Sequence, residues 1–297
     1  MIRYGNNTFL PALKALWKEC FADEDAYIDA FFRAMYQDGH VLLEEEKGVL
    51  LGASFFLPGS ILLEEEAGVT RWQKIRYVYA LAVYPQYRGR GIAGKLLRRA
   101  YELYGVPLIA EPAEEGLVGG FYEPLGFSGN FYLRKAWVDV RAAGQAEETK
   151  YDMRAAELAL GLSGSDFLPI QAERYCTIRD ARFGTHGYVR WQARHVAFAI
   201  DQHRLNGGGA YVLRVDGREE ILLFYREEQD VIVTETTLTQ RELEGYFLPW
   251  ISGRCRRVMF AGGVFADCEG VVEVKECLMG VSYGLMQVRG YLNLTLD

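Results

Sequence analysis

The chain has 297 residues, half of them apolar and a quarter charged, with a net charge of −7. That length allows two hydrophobic cores, and the composition is that of a globular protein. The acidic balance leaves no basic footprint for nucleic acid, no apolar run approaches the ~20 residues of a membrane span, and the N-terminus lacks the apolar core of an export signal.

The five cysteines, Cys20, Cys176, Cys255, Cys268 and Cys277, are odd in number and scattered, without the Cys-x-x-Cys spacing of a zinc site or a redox dithiol. The expectation is a cytoplasmic protein with free thiols and no metal; oligomeric state is not legible.

Apolar residues at helical spacing predict amphipathic helices over residues 9–21 (Leu10, Leu13, Leu16, Trp17, Cys20, Phe21) and 25–37 (Ile28, Phe31, Phe32, Met35), the second capped by Asp25. Short β-prone runs at Val41–Leu43, Val49–Leu57 and Ile61–Leu63, punctuated by Lys47-Gly48 and Pro58-Gly59-Ser60, predict a meander. Arg76–Val83 is a further strand. A helix from Gly91 to Tyr104 comes next, with Ile92, Leu96, Leu97, Ala100 and Leu103 on one face and a stop at Gly105. Pro107–Glu111 reads as a buried strand, Gly116–Pro124 as helical, and Gly126–Leu133 and Ala136–Val140 as a closing strand pair. The sum is an α/β fold, a mixed sheet with helices on its faces.

Residues 141–150 are small and polar without apolar period, as expected of a connection between cores, so the first domain is placed at 1–142 and the second at 150–297. Downstream, helices at 168–183 and 191–204 precede strands at 210–215, 220–226 and 230–236, a helix at 239–252, and strands at 256–261, 271–276, 283–288 and 290–296. This order echoes the first half and predicts a second copy of one fold. The copies differ at one junction. Val231–Thr236 passes straight into a helix with a Thr239-x-x-Glu242 capping box and no glycine between, leaving no room for a pyrophosphate.

In the first half that junction is Tyr84-Pro85-Gln86-Tyr87-Arg88-Gly89-Arg90-Gly91-Ile92-Ala93-Gly94. Its glycines permit a tight turn that presents successive N–H groups at a helix start, where the dipole also favours an anion. Arg88 and Arg90 add donors suited to phosphate, and Tyr84 and Tyr87 offer aromatic surface to an adenine or a pantetheine arm. Gly89-x-Gly91-x-x-Gly94 also satisfies the dinucleotide-binding pattern, with Glu111 at about the spacing of a ribose-binding acid, so a nicotinamide enzyme is the rival reading. Against it, five residues separate strand from glycines, and the strand comes after helices and a meander.

The segment Leu81-Ala82-Val83-Tyr84-Pro85-Gln86-Tyr87-Arg88-Gly89-Arg90-Gly91-Ile92-Ala93-Gly94-Lys95-Leu96-Leu97 resembles the acyl-CoA signature of the GNAT superfamily of N-acetyltransferases, with Arg88, Gly91 and Ala93 filling its pattern. Phe121-Tyr122-Glu123-Pro124-Leu125-Gly126-Phe127 resembles that family's downstream motif. The resemblance implies acetyl-CoA as co-substrate and an amine as acceptor, a small molecule or a peptide. The backbone of Leu81, Ala82 and Val83 would pair with pantetheine, and N–H groups of Arg88, Gly89, Arg90, Gly91, Ile92, Ala93 and Gly94 would hold the pyrophosphate.

Tyr122 matches the tyrosine that in many members protonates the departing thiolate. Without the flanking motif, core packing is its ordinary role. The strand glutamate that serves many members as base is replaced by Tyr79. Glu111, Glu114, Glu115, a tyrosine-held water and the terminal carboxylate at Asp297 stay open as alternatives, with a solvated loop as the ordinary role of the glutamates.

A complete domain with a degenerate copy behind it is similar to the tandem proteins related to the enhanced intracellular survival acetyltransferases, some of which use a terminal carboxylate. Their sterol-carrier-like third domain has no counterpart in this chain. Direct attack by the amine is expected, since no cysteine lies near the motif, with a non-catalytic acyl-CoA sensor as the other class of function. The basic and aromatic run Tyr188–His195 is a packed helix entry or, alternatively, part of the acceptor cleft.

Overall fold

The computed structural model describes residues 1–37, 39–64, 69–140, 167–251, 253–262, 271–285 and 292. Two compact units emerge, and they are not a simple cut of the chain. The first comprises Met1–Phe131, Thr185–His195 and Leu278–Leu292, and the second Tyr132–Gly184, Val196–Cys277 and Asn293–Asp297. The expected linker at 141–150 lies outside the described residues, as do most of the final strands expected at 283–288 and 290–296. Contact thus divides the chain differently from composition, because each unit borrows segments from beyond that linker.

In the first unit, β1 (Ile2–Tyr4), β2 (Val41–Glu46), β3 (Val49–Glu64), β4 (Thr70–Val83) and β5 (Leu108–Ala110) lie side by side in that order. The β4–β5 pair is parallel and the others antiparallel. Helices α1 (Leu10–Phe21) and α2 (Asp25–Met35) form over the predicted runs, burying Leu13, Leu16, Trp17, Ile28, Phe31, Phe32 and Met35. Helix α3 (Ile92–Tyr104) buries Ile92, Leu96, Leu97 and Ala100 in a core shared with Leu42, Phe56, Val78, Leu108 and Tyr122.

The expected meander is present as β2, β3 and β4, but two of its predicted runs, Val49–Leu57 and Ile61–Leu63, are a single strand whose register with β4 runs from Gly52↔Val83 to Glu64↔Thr70. Pro58-Gly59-Ser60 is not a turn. The backbone N–H of Phe56 reaches His40 and that of Leu62 reaches Tyr188, so Pro58, which has no N–H, falls between these two partners on that side of β3. The partner beyond the gap is β8 (Val189–Arg190), in register with Ile61 and Ser60. The chain therefore returns to the first unit long after leaving it.

The second unit contains β6 (Ser128–Asp139, from Tyr132 onward), then β12 (Arg257–Ala261), β11 (Asp230–Thr236), β10 (Arg218–Glu227), β9 (Gly209–Val215) and β7 (Leu168–Pro169), adjacent in that order. β6 is a single strand where two were expected. Val138, Leu222, Phe224, Val231, Val233, Leu243, Phe247, Val258 and Phe260 make its core. The last strand, β13 (Val271–Tyr283), contributes Val281–Tyr283 to the first unit, antiparallel to β5.

Candidate active site

The site begins with a fault in β4. Ala53 pairs with Ala82 and Phe55 with Tyr79, so Ser54 alone faces Ala80 and Leu81, a bulge with Ala80 at φ +48°. Ser54 Oγ lies 3.3 Å from the Tyr79 carbonyl and steadies the distortion. Gly52 lets the strands close in beside it, since a Cβ there would stand 2.8 Å from the Ala82 carbonyl oxygen. The consequence is a divergence. Pairing between β4 and β5 spans only Arg76–Val78, while β4 continues to Val83. Leu81, Ala82 and Val83 thus run past the end of β5, which stops at Ala110.

Beyond Val83 a short 3-10 turn, Pro85–Tyr87, leads through Arg88 to Gly89 (φ +76°) and Gly91 (φ +72°), then into α3. Both glycines occupy the left-handed region, and a Cβ on either would meet nothing within 4 Å. They are required for chain direction, and the space in front of them is open. No side chain caps α3, so its first N–H groups stay available to an anion.

The two arginines serve the scaffold. Arg88 Nε donates to the Val83 carbonyl at 3.1 Å, an oxygen that also accepts from the Cys20 thiol at 3.5 Å. Arg90 pairs with Glu46 at 3.0 Å, with its guanidinium 5.7 Å from the Tyr87 ring centre. Burial pushes the Cys20 thiol up, away from a reactive thiolate.

Tyr122 ends a π-helical turn, Val118–Tyr122, and is 6% exposed between Phe121 and Phe127, whose ring centres lie 4.9 and 5.3 Å away. Burial alone pushes its phenol up to about 12, so it holds its proton at any physiological pH. It shares one core cluster with Ile92, Leu96 and Leu97 of α3.

Glu111 comes directly after β5 and is half-buried, with the Tyr77 hydroxyl donating to it at 3.5 Å. Glu114 and Glu115 are exposed. Tyr79 is stacked on Phe31, centres 5.0 Å apart, and its hydroxyl lies 2.6 Å from that of Tyr27. Asp297 lies outside the described residues.

The Tyr188–His195 run belongs to the first unit rather than the second half. Trp191 packs edge-on against Tyr77 at 5.1 Å, and Arg190 lies over Trp72 at 3.6 Å. Sequence reasoning missed Gly52, Ser54 and Cys20 as parts of the site. A glycine inside a strand pattern was the available signal for the first.

Among the described residues no group of His, Cys, Asp or Glu could hold a metal, and no helix is long and apolar enough to cross a membrane.

Residues 1–128 match the family model described as an acetyltransferase (GNAT) domain. No curated protein matches the chain. Among solved structures the chain is similar to Eis1 from Mycobacterium abscessus, at 11% identity and TM-score 0.66, covering 95% of this chain and 73% of that one. It is similar to a GCN5-related N-acetyltransferase from Anabaena variabilis ATCC 29413, at 12% identity and TM-score 0.69, covering 95% of this chain and 72% of that one. A conserved protein of unknown function from Enterococcus faecalis V583, described as a probable N-acyltransferase, matches at 10% identity and TM-score 0.68 over the same shares. Identities this low speak to fold. Because each likeness covers nearly the whole chain, both units share in it.

Proposed function

We propose that this chain, whose residues 1–128 match the acetyltransferase (GNAT) domain model, is a GNAT enzyme that transfers an acetyl group from acetyl-CoA to a primary amine by direct attack. The observation that carries this reading is the junction itself: a strand released from its parallel neighbour at Val78, then two left-handed glycines opening an uncapped helix. Such a junction suits an extended pantetheine arm along Leu81, Ala82 and Val83 and a pyrophosphate at the N–H groups from Arg88 to Gly94. Arg88 and Arg90 contribute by holding the turn through Val83 and Glu46.

Attack of a neutral amine on the thioester gives a tetrahedral intermediate, whose collapse expels the CoA thiolate. Tyr122, kept protonated by burial, is the group we assign to protonate that sulfur. Glu111 is assigned as base, taking the amine proton directly or through a water. It is half-buried at the end of β5 beside Tyr77, whereas Glu114 and Glu115 stand in solvent. The net charge of −7 favours cationic acceptors by long-range attraction.

The test is release of free thiol on mixing acetyl-CoA with a panel of amines. The account expects turnover with at least one cationic amine and a roughly 100- to 1000-fold fall in kcat for Tyr122→Phe, with KM for acetyl-CoA little changed. Binding of acetyl-CoA without turnover on any amine, together with an inert Tyr122→Phe, would instead establish an acyl-CoA sensor. The replacement of a strand glutamate by Tyr79 is what favours that second reading.

A further inference from the structure

Four basic side chains that acetyl transfer leaves unused come together at the start of the β4–β5 pairing, where Arg76 faces Leu108, on the far side of that pairing from the junction beyond Val83. The backbone of Phe56 ties two of them to one place: its N–H donates to the His40 carbonyl at 2.7 Å, and its own carbonyl accepts from Arg76 Nη1 at 3.2 Å. The other two arrive on the returning segment. Trp191, packed on Tyr77 next to Arg76, holds the His195 ring edge-on at 5.8 Å, and Arg194 precedes that histidine.

His195 is 0% exposed, yet neither ring nitrogen has a hydrogen-bond partner. Buried and unpartnered as well are His40 Nδ1 and Arg194 Nε. Among the described residues, neither Arg76 nor Arg194 has a carboxylate in ion-pair contact. Burying polar nitrogens without partners is unfavourable, so a folded chain retains such a cluster at a cost that a bound acceptor would remove.

We propose that His40, Arg76, Arg194 and His195 form a second anion site, for a small oxyanion of the carboxylate or phosphate type. Every unpartnered atom in the cluster is a nitrogen. Guanidinium groups supply fixed donors to oxygen, and each imidazole becomes a double donor once an anion favours its protonated form. The groups already act on one another: burial, then Arg76 and Arg194, push the His40 imidazole down to about 4, while burial, then Arg194 and His40, push that of His195 down to about 3. An anion among them reverses the sign of that local field. His40, Arg76 and Arg194 are each partly exposed, which gives the site an edge open to solvent.

The site is independent of acetyl-CoA and is tested without it. Sulfate, whose charge is constant near neutral pH, and acetate are titrated in separate arms at constant ionic strength set with chloride. Melting temperature and the ring 15N signals of His40 and His195 are the readouts. The expected result is a saturable rise in melting temperature, with a Kd on the order of 1 mM or tighter, and movement of both imidazole signals toward the protonated form. A larger response to sulfate assigns a tetrahedral oxyanion, and a larger response to acetate a carboxylate.

Arg194→Gln weakens the binding at least ten-fold, and His40→Gln, at a partly exposed position, does the same should the first variant not fold. Gly91→Val leaves it unchanged, which separates this site from the junction at Gly89–Gly91. A response to both anions no greater than to chloride, or an equal response in Arg194→Gln and His40→Gln, overturns the proposal and leaves the nitrogens to water.

Discussion

In the first unit β4 is bulged against β3 at Ala80–Leu81, leaves β5 after Val78, and enters α3 through Gly89 and Gly91. In the second, β11 is bulged against β10 at Thr234, pairs in parallel with β12 through Val233, and enters its helical turn Gln240–Glu242 through Thr239. The sheet distortion is common to both, but the residues beyond it act in opposite ways. Past Val233 the polar side chains of β11 are bonded to the second unit's own helices. Thr234 Oγ1 lies 2.9 Å from His203 Nε2, while the Glu235 carboxylate is gripped by Arg179 Nε at 2.9 Å and by the Tyr175 hydroxyl at 2.8 Å.

The helix N-terminus is closed too. Thr239 and Glu242 complete a reciprocal capping box, with the Thr239 N–H donating to Glu242 at 2.7 Å. A bulged strand running into a helix is therefore not sufficient for a binding site. The donors have to be left unspent, as they are at the glycines of the first unit and are not at Thr239.

The largest stability effect is expected where the second unit is most tightly filled. Arg179 and Glu235 are 1% and 0% exposed, so Arg179→Met strands a buried carboxylate and costs about 3–5 kcal/mol, read from urea unfolding. Acetyl-CoA affinity measured at a temperature where the variant is folded should be unchanged, and a loss there would mean that the second unit serves the cofactor.

Next comes Gly91→Val in the first unit. At φ +72° a branched side chain costs about 1–2 kcal/mol, and acetyl-CoA binding, read by calorimetry, should fall at least ten-fold.

A smaller effect appears in acid. Burial depresses the His203 imidazole to about 4 against an ordinary 6.5, so the unfolded chain binds a proton that the folded chain refuses. The stability tied to this group is complete above the ordinary value and is lost as pH falls from there toward 4. His203→Gln should flatten part of that decline in urea midpoints compared at about pH 7.5 and about pH 5. Smallest is Thr239→Ala, expected to cost about 1 kcal/mol through the lost cap and to leave acetyl-CoA affinity alone. New phosphate or CoA binding in the second unit of that variant would show that the cap alone keeps it closed.

The sequence carried the local features of this contrast well, because each rests on residue types with short-range meaning. Gly89, Gly91 and the Thr239-x-x-Glu242 box are local backbone chemistry, and the helices at Leu10–Phe21, Asp25–Met35 and Ile92–Tyr104 obey their apolar spacing. The illegible features depended on distant partners. Pro58-Gly59-Ser60 reads as a turn until His40 and Tyr188 are seen accepting from its neighbours on either side. Likewise Tyr188–His195 reads as part of the second half, because nothing in its own pattern records that Val189 pairs with Ile61. The bulge at Ala80 is invisible for the same reason, being set by Gly52 and Ser54 on another strand.

The central claim is that one junction is open and the other closed, and calorimetric titration of the full chain with acetyl-CoA tests it most directly. The account predicts one molecule bound per chain, with binding weakened at least ten-fold in Gly91→Val and retained in Thr239→Ala. Two molecules per chain, or one that survives Gly91→Val at full affinity, would contradict it.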